Sequence, residues 1–358
     1  MVSITQTLEN ITLPRRLWKT GAPLPTPLLE SAATVRDRKL YVFGGFTFGW
    51  KATRNAYAYH FDDDRWETLP DLPTPVTHVN AVVNGDDLWI AGGFVGNHPG
   101  KATTEVWRFS FSQREWHAAP PLPEPRAGGG LSIINGALHY FGGFGSDRDS
   151  THDDHWFLPF GDSSWQPAPP LPEIRGHISA IAHGNKIYSI GGQIRHDTNP
   201  VDRDSVFCFD GATNQWQQCA AMPAPRSHFE ATTFAIEDYI VIAGGRNNQN
   251  PVLVKSNPLD HKGEKLIDDF PLQLFLTLKS SSYRSDLLPS ILVYDTRRDR
   301  WIEGGALPTR LYGPVANVVD RCAIVSGGSR LRHSNVQTRT LLNESLIDLV
   351  LAKASRPS

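Results

Sequence analysis

Residues 122–144 read LPEPRAGGGLSIINGALHYFGGF. A proline-bearing turn ending in Arg126 leads into an apolar run that stops at the paired glycines Gly142-Gly143. The last part of that run, LHYFGG, is aromatic and apolar, which reads as a buried strand ending where the backbone must do something side chains forbid. The same six-residue ending returns as LYVFGG (40–45), LWIAGG (88–93), IYSIGG (187–192), IVIAGG (240–245) and AIVSGG (323–328). The first glycines of the pairs, 44, 92, 142, 191, 244 and 327, are separated by 48, 50, 49, 53 and 83 residues. A period near 50 marks a repeat architecture rather than two unrelated domains.

A tryptophan is locked to this period. Trp18, Trp66, Trp116, Trp165 and Trp301 each precede their glycine pair by 26 residues, and Trp216 by 28. Between Trp and Gly-Gly lies a proline turn: LPEPR (122–126), LPEIR (171–175), MPAPR (222–226) and LPTR (307–310). After the glycines come a loop, a third strand such as VWRFSFS or ILVYDTR, a polar turn, and the Trp-bearing fourth strand. One unit is thus one four-stranded antiparallel blade. From about residue 15 to 350 the pattern resembles the kelch-repeat family, which implies an all-β, six-bladed β-propeller. The glycines and tryptophans are then scaffold.

The whole chain, 1–358, is expected to be one propeller. It opens on a Trp strand and runs on beyond its sixth glycine pair, so the N-terminal strand is expected to join the last blade and remove free sheet edges. SLIDLVLA (345–352) is expected to supply that blade's third strand, with a short helix as the alternative. The 83-residue interval conceals an insertion over 246–289, between the second and third strands of blade 5, holding the apolar stretch FPLQLFLTL. An insertion of this length reads as a lid, a docking element or a passive loop.

Composition narrows the function classes. Net charge is −2 with Lys and Arg scattered, so nucleic acid is not an expected partner. No run approaches a membrane span and the start lacks a secretion signal, so a cytoplasmic setting without membrane attachment is expected. Cys208, Cys219 and Cys322 have neither disulfide nor zinc-ligand spacing and are expected to be free thiols.

The kelch resemblance places a binding face where the loops after second and fourth strands meet. The turn position gives Leu28, Val76, Arg126, Arg175, Arg226 and Arg310. Two residues further stand Glu30, His78, Gly128, His177, His228 and Tyr312, and after Gly-Gly stand Phe46, Phe94, Phe144, Gln193, Arg246 and Ser329. One wall is apolar and the other polar and cationic, which suits a small molecule or peptide.

Three histidines and Glu30 in one ring raise a metal reading, but the blades are expected to hold them too far apart, so neither metal nor other cofactor is expected. Plant nitrile-specifier kelch proteins bind iron through Glu-x-x-x-Asp-x-x-x-His; here Glu264 and Asp268 are followed by Leu272. A similarity to bacterial N-acetylneuraminate mutarotases, in the long insertion followed by SSYRSDLLPSILVYD, implies acid/base work at Gln193 and Arg203, for which Gln has no titrating proton. The chain is therefore read as a binding or protein-interaction propeller. A cofactor-free isomerase, with Arg203, Arg226 and His228 as catalytic candidates, comes second, and an iron-dependent lyase third.

Overall fold

The computed structural model describes residues 18–248, 287–330 and 336–354. Within them the regular structure is almost entirely strand. Six four-stranded antiparallel sheets follow one another. The first comprises Ala32–Arg36, Lys39–Phe43, Ala56–His60 and Arg65–Thr68, and the next four repeat the plan as far as Arg300–Ala306. The sixth takes Tyr312–Val319, Cys322–Ser329 and Thr340–Asn343 from the end of the chain and Lys19–Gly21 from its beginning, with Lys19 opposite Leu342.

First and second strands are joined by tight turns with at least one central residue at positive φ, both at Asp37 (47°) and Arg38 (59°), the twist that suits a two-residue hairpin. Inner strands of successive sheets touch in the order 32–36, 81–84, 130–134, 179–183, 233–236, 312–319, and the last touches the first. The core is correspondingly divided into layers between sheets. Tyr41 and Phe43 pack with Leu88, Ile90 and Phe109, whereas Leu40, Val42 and Tyr59 of the same sheet pack with Val315 and Ile324.

Two recurring bonds stitch neighbouring sheets at every junction except that of the fifth and sixth, where the Trp18 indole N–H has no partner among the described residues. The Trp indole N–H donates to a carbonyl at the end of the preceding sheet's fourth strand: Trp66 to Ala22 (3.0 Å), Trp116 to Pro70 (3.0 Å), Trp165 to Pro120 (2.8 Å), Trp216 to Pro169 (3.0 Å) and Trp301 to Ala220 (2.8 Å). In the other direction, the second glycine's N–H donates to the turn carbonyl of the following sheet, Gly45 to Val76, Gly93 to Arg126, Gly143 to Arg175 and Gly192 to Arg226, while Gly328 of the sixth sheet donates to Leu28 of the first. A Cβ on Gly92 would lie 2.4 Å from the Arg126 oxygen, and φ there is +66°. This is why the pair must be glycine.

One expectation is corrected. Residues 346–354 form a helix, Leu346–Ala354, and the third strand of the sixth sheet is Thr340–Asn343. Thr340–Asn343 already fills the place beside Cys322–Ser329. Leu346 and Ile347 instead close the apolar layer between the fifth and sixth sheets. The insertion expected over 246–289 lies mostly outside the described residues; its flanks, Arg246 and Leu287, are bridged to each other.

Candidate functional site

Each inner strand is entered through one residue in the left-handed region: Glu30 (φ 53°), His78 (58°), Gly128 (64°), His177 (50°), His228 (60°) and Gly313 (56°). Tyr312, expected in this ring, is one place too early. The LPTR turn brings its Arg one residue earlier than LPEPR does, so counting two on from Arg310 falls one short of Gly313, and Tyr312 pairs with Ser329 as Leu29 does with Phe46.

The expected separation of the blades is overturned. Because the inner strands meet around a common axis, the histidines converge: ring centroids are 3.9 Å apart for His177 and His228 and 4.8 Å for His78 and His177. Glu30 lies between two of them, Oε2 3.6 Å from His78 Nε2 and Oε1 3.8 Å from His228 Nε2. These groups line a central cavity of about 30 Å³, room for about two waters.

Beneath them sits the ring that follows the glycine pairs. Phe46, Phe94 and Phe144 are buried and turn edges to the imidazoles, Phe94 to His78 at 5.0 Å and Phe144 to His177 at 5.5 Å. On the opposite side Arg246 donates to Gln193 Oε1 (3.0 Å), Gln193 donates from Nε2 to the Arg195 carbonyl (2.9 Å), and Ser329 is buried. The division into an apolar and a polar half is thus present.

Four contributors were not legible in the repeat. His196, on the loop after Gly191-Gly192, reaches to the axis and brings its Nε2 within 3.1 Å of His78 Nε2. Asp197 holds His196 Nδ1 at 2.6 Å and takes a bond from Arg148 (2.7 Å), whose guanidinium lies 3.9 Å above the Phe94 ring. Glu230 accepts from His177 Nδ1. These residues come from loops of irregular length, so no repeat position announces them.

Burial, and then the neighbouring His177, hold the His78 and His228 imidazoles well below their ordinary pKa. Burial brings His196 down to about 3 against the opposing pull of Asp197. These three are therefore neutral at physiological pH.

The turn arginines lie elsewhere. Arg126 bonds Asp154 (2.5 Å) and Glu124 (2.9 Å), Arg175 the Gly191 and Ser205 carbonyls, Arg226 the Gly244 and Ser290 carbonyls, and the exposed Arg310 the Leu287 carbonyl (2.5 Å). None of the four lines the central cavity, and neither does Arg203, whose backbone N–H donates to Gly192.

The sequence matches the family model KLHDC2/KLHL20/DRC7 Kelch-repeats domain over residues 8–192 and 97–257. Kelch-like protein 13 of Bos taurus and of Homo sapiens are each 38% identical to it over 65 residues, 18% of this chain. The match covers only 10% of those relatives' own length. The solved structure of YjhT superposes with a TM-score of 0.68 over 89% of this chain and 95% of that one, at 15% identity, a likeness of fold alone. With its family model, phased tryptophans and glycine pairs agreeing, the chain belongs to the kelch-repeat family.

Proposed function

We propose that this chain is a six-bladed kelch propeller, closed by Lys19–Gly21 joining the last sheet, that docks a polypeptide partner on the face carrying the proline turns and the loops after Gly-Gly. One observation carries the reading. The large apolar side chains left exposed among the described residues, Phe48 (52%), Ile174 (43%) and Val201 (37%), lie on the segments of that face, Ile174 in a proline turn and Phe48 and Val201 between second and third strands. Covering such side chains removes apolar surface from water, which favours docking of a partner on the side that carries them. Closure is supported by the pairing of Lys19 with Leu342 and by the Trp66–Ala22 and Gly328–Leu28 bonds.

A central cavity of about 30 Å³ is far below the ~300–1,000 Å³ of a small-molecule pocket, which disfavours a sugar isomerase acting there. Gln193 has both amide atoms engaged, so it is no stand-in for a catalytic acid. The residues of the iron motif, Glu264 to Leu272, lie outside the described ones. Cys208, Cys219 and Cys322, all free thiols, support a reducing, cytoplasmic setting.

The test is affinity capture with the wild type, a triple F48E/I174E/V201E variant, and a Gln215→Glu control on an outer strand. Partners should bind the wild type and the control and be lost from the triple variant. Equal capture by all three would place the docking surface elsewhere.

A further inference from the structure

The centre of the molecule is built like a ligand shell. Each of four imidazoles has its Nδ1 tied to a partner: His78 to Thr77 Oγ1 (2.7 Å), His228 to Ser227 Oγ (2.7 Å), His196 to Asp197 Oδ1 (2.6 Å), and His177 to the Glu230 carboxylate. With Nδ1 fixed, Nε2 is the atom each ring offers to the axis. Two of the four partners are carboxylates, which fix the Nδ1–H tautomer and leave an Nε2 lone pair, the arrangement that orients metal-bound histidine.

Ligand nitrogens of His78, His177 and His196 all lie within 4.8 Å of one another. The His78 Nε2–His196 Nε2 separation of 3.1 Å is near the ~3.3 Å edge of a tetrahedron with bonds of ~2.05 Å. His177 is 97% buried by its side chain (3% exposed), yet its Nε2 has no hydrogen-bond partner among the described residues. A buried ring nitrogen aimed into a polar cavity is costly unless something accepts its lone pair. Glu30, 3.6 Å from His78, adds a carboxylate and with it a negative charge to balance a cation.

We infer that His78, His177 and His196, with Glu30 beside them, form a site for one divalent transition-metal ion at the axis of the fold. Imidazole with a single carboxylate suits zinc, iron, copper or nickel rather than magnesium or calcium. His78 and His177 come from different sheets and Glu30 from a third, so an ion here would tie three sheets together.

The experiment is titration of the chelator-stripped full chain with Zn²⁺, and with Co²⁺ as a spectroscopic probe. About one equivalent should bind, Co²⁺ should develop the visible bands of a nitrogen-rich site, and Zn²⁺ should raise the melting temperature. Glu230→Gln, which takes the negative charge from the group that His177 Nδ1 bonds but keeps an accepting oxygen, should weaken binding by about 10-fold. His196→Ala, on a loop outside the sheets, should abolish tight binding while the unloaded protein keeps the wild-type circular dichroism. Absence of uptake by the wild type, or uptake that Glu230→Gln and His196→Ala leave unchanged, would overturn the assignment.

Discussion

Arg175 has no exposed surface, yet it stays charged, with burial lowering its pKa only to about 10. Its guanidinium reaches the Gly191 carbonyl at 3.1 Å, the Ser205 carbonyl at 2.9 Å, Ser205 Oγ at 2.7 Å and Glu173 at 2.7 Å. The arginine thus ties the glycine-pair turn at Gly191 and the third strand's approach at Ser205 to the proline turn that carries it. Arg175→Ala should therefore lower unfolding free energy by about 3 kcal/mol in a denaturant titration, and Arg175→Lys should recover little, because an ammonium cannot span the fork. The arginine turn was legible in sequence, but the direction of its side chain was not, since MPAPR and LPEIR suit a ligand contact as well as a clamp. The imidazole ring shows the converse: its positions were legible, its convergence was not, because distance across an axis leaves no mark on sequence spacing.

Another residue-scale consequence concerns acid. His139 and His155 are buried and in contact, His139 Nδ1 lying 3.0 Å from His155 Nε2, and burial brings them down to about 4 and about 3. In the unfolded chain a histidine takes up its proton near pH 6.5, whereas these two stay neutral in the fold. Stability is then full above pH 6.5 and falls as pH drops toward the folded values, with His139 alone accounting for about 3 kcal/mol by pH 4. Melting curves from pH 7 to 4 should shift steadily downward, and His139→Phe should flatten part of that slope. A profile level to pH 4 would contradict the burial.

At the scale of elements, strands were the most legible feature, because apolar runs ending in Gly-Gly and Trp at a fixed offset report both ends of each sheet. SLIDLVLA was ambiguous, since its apolar positions fit either period, and only the prior occupation of the strand site by Thr340–Asn343 decides it. The fifth sheet carries a further prediction. Tyr239–Ala243 pairs directly with Ser290–Asp295, and Arg246 is bridged to Leu287, so the intervening chain leaves and re-enters at one point. Replacing 252–286 by a short Gly-Ser linker should leave the melting temperature within a few degrees of wild type. Global unfolding on that deletion would show that the segment supports the sheets.

For the whole molecule, the proposed closure depends on a three-residue strand. Removing residues 1–22 takes away the partner of Thr340–Asn343, the acceptor of the Trp66 indole and the Ala22 N–H that Asp64 accepts at 2.6 Å. It also bares a sheet edge, an aggregation template. The truncated protein should melt at a markedly lower temperature and self-associate, and an unchanged transition would refute closure.

The Trp latch has one further consequence. Five of the six phased indoles, all but Trp18, reach back to the sheet before them, so those interfaces are completed by the succeeding sheet. In a linear repeat array the end units have one neighbour and fray first. The proposed ring imposes a periodic boundary: no unit is terminal, and the seam between Ala22 and Trp66 resembles the four junctions that run from the first sheet to the fifth. Fraying then has nowhere to begin, and the position of the chain break becomes nearly arbitrary, so a circular permutant opened at the Asp86 turn, with the native ends joined, should fold to the same set of sheets.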